Sequence, residues 1–75
     1  MQLYEMRRRN PGDLCYAKEE VTGTGPNGPI TVPKSGVLEY VRTSTRTGWL
    51  SFHDSLGRLV LLDPSKVRDF LELVK

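Results

Sequence analysis

Residues 48–64, GWLSFHDSLGRLVLLDP, decide the fold, because two apolar segments flank a tight turn there and run straight into the start of a helix. The turn is Asp54-Ser55-Leu56-Gly57. Aspartate at its first position offers a carboxylate to nearby backbone N–H groups, and glycine suits the fourth. That pattern predicts a β-hairpin. With His53 opposite Arg58, Phe52 faces Leu59 and Leu50 faces Leu61, so Leu50, Phe52, Leu59 and Leu61 form a core face. The opposite face then carries Trp49, Ser51, His53, Arg58, Val60 and Leu62. This set is too apolar for plain solvent and too polar for a second core.

Working outward, Val37 to Thr43 reads as a strand, and Ser44 to Gly48 turns it back on the first hairpin. Arg42 opposite Leu50 sets Tyr40 beside Phe52, and Leu38 and Tyr40 extend the core face. On the other side, Asp63 is an N-cap and Pro64 a first helical residue, with Lys75 placed where a cation suits the helix dipole. Val67, Phe70, Leu71 and Val74 recur at helical spacing, which predicts a helix over 64–75 with that stripe buried. Towards the N-terminus, residues 2–7, QLYEMR, alternate as a short strand with Tyr4 and Met6 on one side. Asn10-Pro11-Gly12-Asp13 is a turn, and Leu14 to Lys18 is a strand with Leu14 and Tyr16 on one side and Cys15 and Ala17 on the other. The segment TGTGPNGP, 22–29, is dense in glycine and proline and predicts a long flexible surface loop. Ile30 to Pro33 is extended, and Ser35-Gly36 turns the chain into the Val37 strand. The expectation is one domain over 1–75, mainly β, as a small bent antiparallel sheet or barrel of about five strands with a C-terminal helix.

Composition narrows the function. At 75 residues the chain buries only ~60% of its unfolded surface, so its stability margin is small. Eleven basic against nine acidic residues leave a net charge of +2, near balance and far from a strongly basic nucleic-acid module. A single cysteine, Cys15, excludes an internal disulfide and a thiolate-held zinc, and a reducing cytosol fits that usage. Polar residues stand where a signal peptide needs an apolar run, and Leu59 to Leu62 is far too short to span a bilayer, so neither secretion by that route nor membrane insertion is expected.

No constellation supports catalysis, a metal or a cofactor. Gly23, Gly25 and Gly28 match the glycine spacing of a dinucleotide loop, but Pro26 and Pro29 leave no helix after them to receive a phosphate. His53 and Asp54 are neighbours on a strand, point to opposite faces, and cannot orient one another for work with Ser51 or Ser55. Asp13, Glu19 and Glu20 lack a second group of metal ligands. Cys15 reads as a small buried hydrophobe. What stands out is a basic and aromatic surface: Arg42, Arg46, Trp49 and Arg58 near the hairpins as partner-binding residues, and the run Arg7, Arg8 and Arg9 as nucleic-acid contacts. The alternative is that Trp49 packs beneath the helix and the arginines are simply solvated.

The turn-marked order "NPGDLCYA", a Gly/Pro loop, "SGVLEYV", "GWLSFHD" and "GRLVLLDPSKV", over residues 11–67, resembles small bacterial Src-homology-like β-barrels. That resemblance implies a module that binds proteins or nucleic acids and rarely catalyses. The tail "FHDSLGRLVLLDPSKVRDFLELVK" resembles the C-terminal part of a small actinobacterial family encoded beside helix-turn-helix regulators. The expected function is therefore a non-enzymatic binding module acting on a larger protein or complex, as an adaptor, inhibitor or phage-type modulator. Nucleic-acid binding is the second reading, and the chain is expected to be a monomer or homodimer.

Overall fold

Alternation of apolar and polar residues carries most of the chain into one antiparallel sheet. The computed structural model describes residues 10–74. Its elements in chain order are β1 (Leu14–Ala17), β2 (Val21–Gly25), β3 (Gly28–Val32), β4 (Val37–Thr43), β5 (Leu50–His53), β6 (Leu59–Leu62), α1 (Pro64–Phe70) and β7 (Leu71–Leu73). The seven strands form one sheet in the order β3-β2-β6-β5-β4-β1-β7. The strand expected over 2–7, Arg7 to Arg9 and Lys75 lie outside the described residues.

Three strands separate β3 from β4 in the sheet, about 19 Å if it were flat. Yet the connection between them is only residues 33–36, folded into a turn by the Gly36 N–H donating to the Pro33 carbonyl at 2.9 Å. The sheet must therefore curl, and its concave side holds the core. Cys15, Leu38, Phe52, Val60, Leu62, Val67 and Leu71 are fully buried there, each large apolar side chain contributing ~1.5–3 kcal/mol. Tyr40 meets Phe52 edge to face, with ring centroids 5.9 Å apart. Among the described residues strands β3 and β7 are the two edges, and the sheet bends strongly without closing into a barrel.

The central hairpin differs from the expected register by one residue. Asp54 and Arg58 pair through the Asp54 N–H and Arg58 carbonyl at 3.0 Å, leaving a loop of Ser55, Leu56 and Gly57, and Gly57 takes φ 79. The bulged glycine is an extra residue, which sets His53 opposite Leu59 and Phe52 opposite Val60. A one-residue shift exchanges the faces of a strand. Val60 and Leu62 are accordingly buried, whereas Leu59 and Leu61 lie on the outer face.

Residues 22–29 are not a loop. They belong to the β2–β3 hairpin, turned at Pro26-Asn27, with Val21 opposite Val32 and Gly23 opposite Ile30. Glycine here serves packing, since a Cβ at Gly23 would stand 2.6 Å from Val60 Cγ1 and 2.7 Å from the Leu61 carbonyl oxygen. Pro29 is tolerated because β3 is an edge strand.

The helix begins as expected, with Asp63 Oδ1 accepting the Lys66 N–H at 2.9 Å and Pro64 in its first turn. It ends at Phe70, well short of residue 75, because Leu71 is extended at φ −109, ψ 149. Residues 71–73 instead pair with β1, Ala17 opposite Leu71 and Cys15 opposite Leu73. This pairing satisfies backbone groups on β1 that a longer helix would leave bare: Lys18 N–H donates to the Phe70 carbonyl at 2.7 Å, and Val74 N–H to the Leu14 carbonyl at 3.0 Å. Of the expected helical stripe, Val67 and Leu71 are buried, Phe70 is partly buried against the core, and Val74 is exposed.

Candidate functional site

The outer face of the sheet carries the candidate site. Register places Thr24, Leu61, Ser51 and Arg42 in one cross-strand row over β2, β6, β5 and β4. Arg42 reaches this face because of a bulge between Tyr40 and Arg42, which sets Arg42 opposite Ser51 and Thr43 opposite Leu50. The expected pairing of Arg42 with Leu50 would have put it on the side of Leu38 and Tyr40. After the bulge it is Thr43 that turns towards Tyr40, and their hydroxyls lie 2.6 Å apart.

A cleft of about 310 Å³ opens beside this row, lined by Arg42, Ser44, Thr47, Trp49, Ser51 and Leu61. Trp49 is 38% exposed, so it belongs to the surface and not to the core. The β4–β5 loop holds its own shape. Ser44 Oγ accepts the N–H groups of Arg46 and Thr47, each at 3.2 Å, and Thr47 Oγ1 accepts the Trp49 N–H at 3.2 Å. The Gly48 N–H donates to the Ser44 carbonyl at 2.9 Å, and the Ser44 N–H to the Trp49 carbonyl at 2.8 Å. Arg46 is exposed on this loop. Neither Arg42 nor Arg46 makes an ion pair among the described residues.

Arg58 is elsewhere. It stands at the far end of the β5–β6 hairpin, with Nε 2.7 Å from Asp54 Oδ2. Asp54 Oδ1 also accepts the N–H groups of Leu56 at 3.0 Å and Arg58 at 2.8 Å. Burial works against the charge of this carboxylate. The Arg58 N–H and guanidinium, the Leu56 N–H and the charge of Arg58 outweigh that burial and hold its carboxyl below the usual carboxylate range. A larger hollow of about 490 Å³ lies at this end, between Pro26, Pro29, Gly57 and Arg58, but its cation is already committed to Asp54.

The structure thus brings Arg42 and Trp49 together, sets Arg46 on the adjoining loop, and leaves Arg58 apart. Ser44, Thr47 and Leu61 were not singled out from the sequence. Leu61 was assigned to the core by the one-residue register, and the two hydroxyls gave no signal beyond lying in a turn.

Other reactive groups are engaged or dispersed. Cys15 is buried, its thiol 3.6 Å from the Leu38 carbonyl and pushed up to about 12 by burial. His53 Nδ1 lies 3.7 Å from Glu39 Oε1 on the outer face. Among the described residues no three potential metal ligands cluster, and no helix is long and apolar enough to cross a membrane. Comparison of the chain with family models, with characterised proteins and with solved structures found no match.

Proposed function

We propose that this chain is a non-enzymatic binding module that docks on a larger protein or complex in the cytoplasm through the Trp49 cleft. In this reading it serves as an adaptor, an inhibitor or a phage-type modulator. The observation that carries the reading is an exposed tryptophan sharing a cleft with an arginine that meets no carboxylate among the described residues. Tryptophan and arginine are the side chains on which interface energy concentrates, the first by burying area and the second by directed hydrogen bonds. Trp49 is the anchor, and Arg42 and Arg46 orient the partner. The loop's internal hydrogen bonds hold this surface in shape before contact, which lowers the entropic cost of binding. The resemblance of the sequence over residues 11–67 to small bacterial Src-homology-like barrels, which bind and rarely catalyse, would agree with the same reading.

The second reading, nucleic-acid binding, is favoured by two arginines that make no ion pair among the described residues and stand near an aromatic ring. One experiment separates the two. Trp49→Ala and Arg46→Glu proteins are compared with the parent for melting temperature and for capture from lysate with and without nuclease treatment. Capture that survives nuclease, and is lost in the variants at unchanged melting temperature, supports protein binding. Capture that nuclease abolishes, and that falls steeply with salt as counterion release demands, supports nucleic acid. A large loss of stability in Trp49→Ala would return Trp49 to the core and end the proposal.

A further inference from the structure

Resting on the protein-docking reading above, we infer that the partner presents an acidic segment in which a carboxylate lies beside an apolar side chain. The donors and acceptors around the cleft are unbalanced in one direction. Arg42 offers a guanidinium with five N–H donors and no acceptor, and Trp49 an indole that can only donate. Ser44 Oγ already accepts two backbone N–H groups, which leaves it chiefly its O–H donor, while the Thr47 oxygen accepts one and Ser51 adds a hydroxyl that can donate as well as accept. Among the described residues no carboxylate lines the cleft. A group entering here is asked for acceptors, and an anion meets that demand best.

The planar fork of Arg42 matches a carboxylate in two parallel hydrogen bonds, and Arg46 on the adjoining loop adds a second positive charge. Leu61 and the Trp49 ring supply the apolar part of the lining, which suits an aliphatic side chain next to that carboxylate. A nucleic-acid backbone is a poorer occupant of the cleft itself, because a run of phosphates needs a run of cations and among the described residues Arg42 is the one cation lining it, with Arg46 on the adjoining loop. Arg58 and Lys18 already face Asp54 and Glu72, Arg68 faces Asp69, and Lys66 Nζ donates to the Thr22 carbonyl at 2.6 Å. A short acidic peptide needs only the local pair.

Trp49 is the chain's only tryptophan, so its emission reports on the cleft directly. The probes are short capped peptides of alternating glutamate and leucine, glutamine and leucine, and lysine and leucine, with oligothymidylate as the polyanion control. The glutamate peptide is expected to titrate Trp49 emission saturably and to bind at least about tenfold more tightly than the glutamine peptide. Arg42→Gln, an exposed position, should abolish that difference at unchanged melting temperature. The inference is overturned if the glutamine or lysine peptide binds as well as the glutamate one, if oligothymidylate binds more tightly, or if no peptide moves the emission. Equal binding of the glutamate and glutamine peptides would remove the acidic requirement and leave the cleft as a docking site. The wider reading fails by a different result, lysate capture indifferent to Trp49→Ala.

Discussion

At one end of the β5–β6 hairpin Arg58 lies 2.7 Å from Asp54, whose carboxylate also gathers two backbone N–H groups. At the other end Arg42 shares an open cleft with Trp49 and meets no carboxylate among the described residues. The same residue type is used for architecture at the first end and left available at the second. The difference comes from local backbone geometry. A three-residue loop with Gly57 at φ 79 folds Arg58 back on Asp54, whereas a bulge in β4 rotates Arg42 outward, away from Tyr40. An arginine count therefore says little about function until the partners of each one are known.

The comparison breaks most completely if the strand joining the two ends is lost. Phe52 is fully buried in the middle of β5, and Phe52→Ala should cost ~3–5 kcal/mol, a large part of the stability of a small domain. Urea denaturation followed by Trp49 emission measures it, and a loss below ~1 kcal/mol would show that the two ends do not depend on a common core.

A smaller effect sharpens the role of the closed end. Asp54→Ala removes an acceptor from three N–H groups and should cost ~1.5–3 kcal/mol. Because the Asp54 carboxyl is held below its usual range in the folded state, its contribution is fully present above the ordinary carboxylate range. It is lost as the pH falls through the lowered folded value. Between those limits the parent should lose stability more steeply than Asp54→Ala as the pH drops. Parallel acid-melting profiles would contradict this assignment.

The smallest effect tests the open end. Arg42→Gln should change stability by no more than ~0.5 kcal/mol, since its side chain is exposed and makes no ion pair among the described residues. A marked drop in melting temperature would mean that Arg42 is structural and that the two ends are alike after all.

These positions also show what the sequence can and cannot disclose. The Asp54–Gly57 turn, the Asp63 cap and the inward sides of Leu38, Tyr40, Leu50 and Phe52 were legible, because each follows from local chemistry. The identity of the inward residues on β6 was not, since it hangs on whether Gly57 is counted in the turn or as a bulge. The β4 bulge left no mark in the pattern at all, yet it decides whether Arg42 joins Trp49. The β2–β3 hairpin was hidden for another reason. Gly23 looks like a strand breaker until Val60 and Leu62 are seen packing where its side chain would be. Residues 71–73 read as helix because their apolar spacing suits both periods, and only the unpaired edge of β1 settles which one is used.

That last strand has a consequence for the order of assembly. During synthesis β1 can pair with β4 as soon as Glu39 and its neighbours are made, while its opposite side waits for residues 70–74, the last of those described. Through that interval the Leu14 carbonyl and the Lys18 N–H have only water, and the strand presents a bare edge to any other extended chain. Joining segments so distant in sequence also carries the greater loop-closure cost, which places β7 late in refolding. Pulse-labelled hydrogen exchange should then find the Tyr40 amide, bonded to Asp13, protected before the Lys18 amide that depends on Phe70.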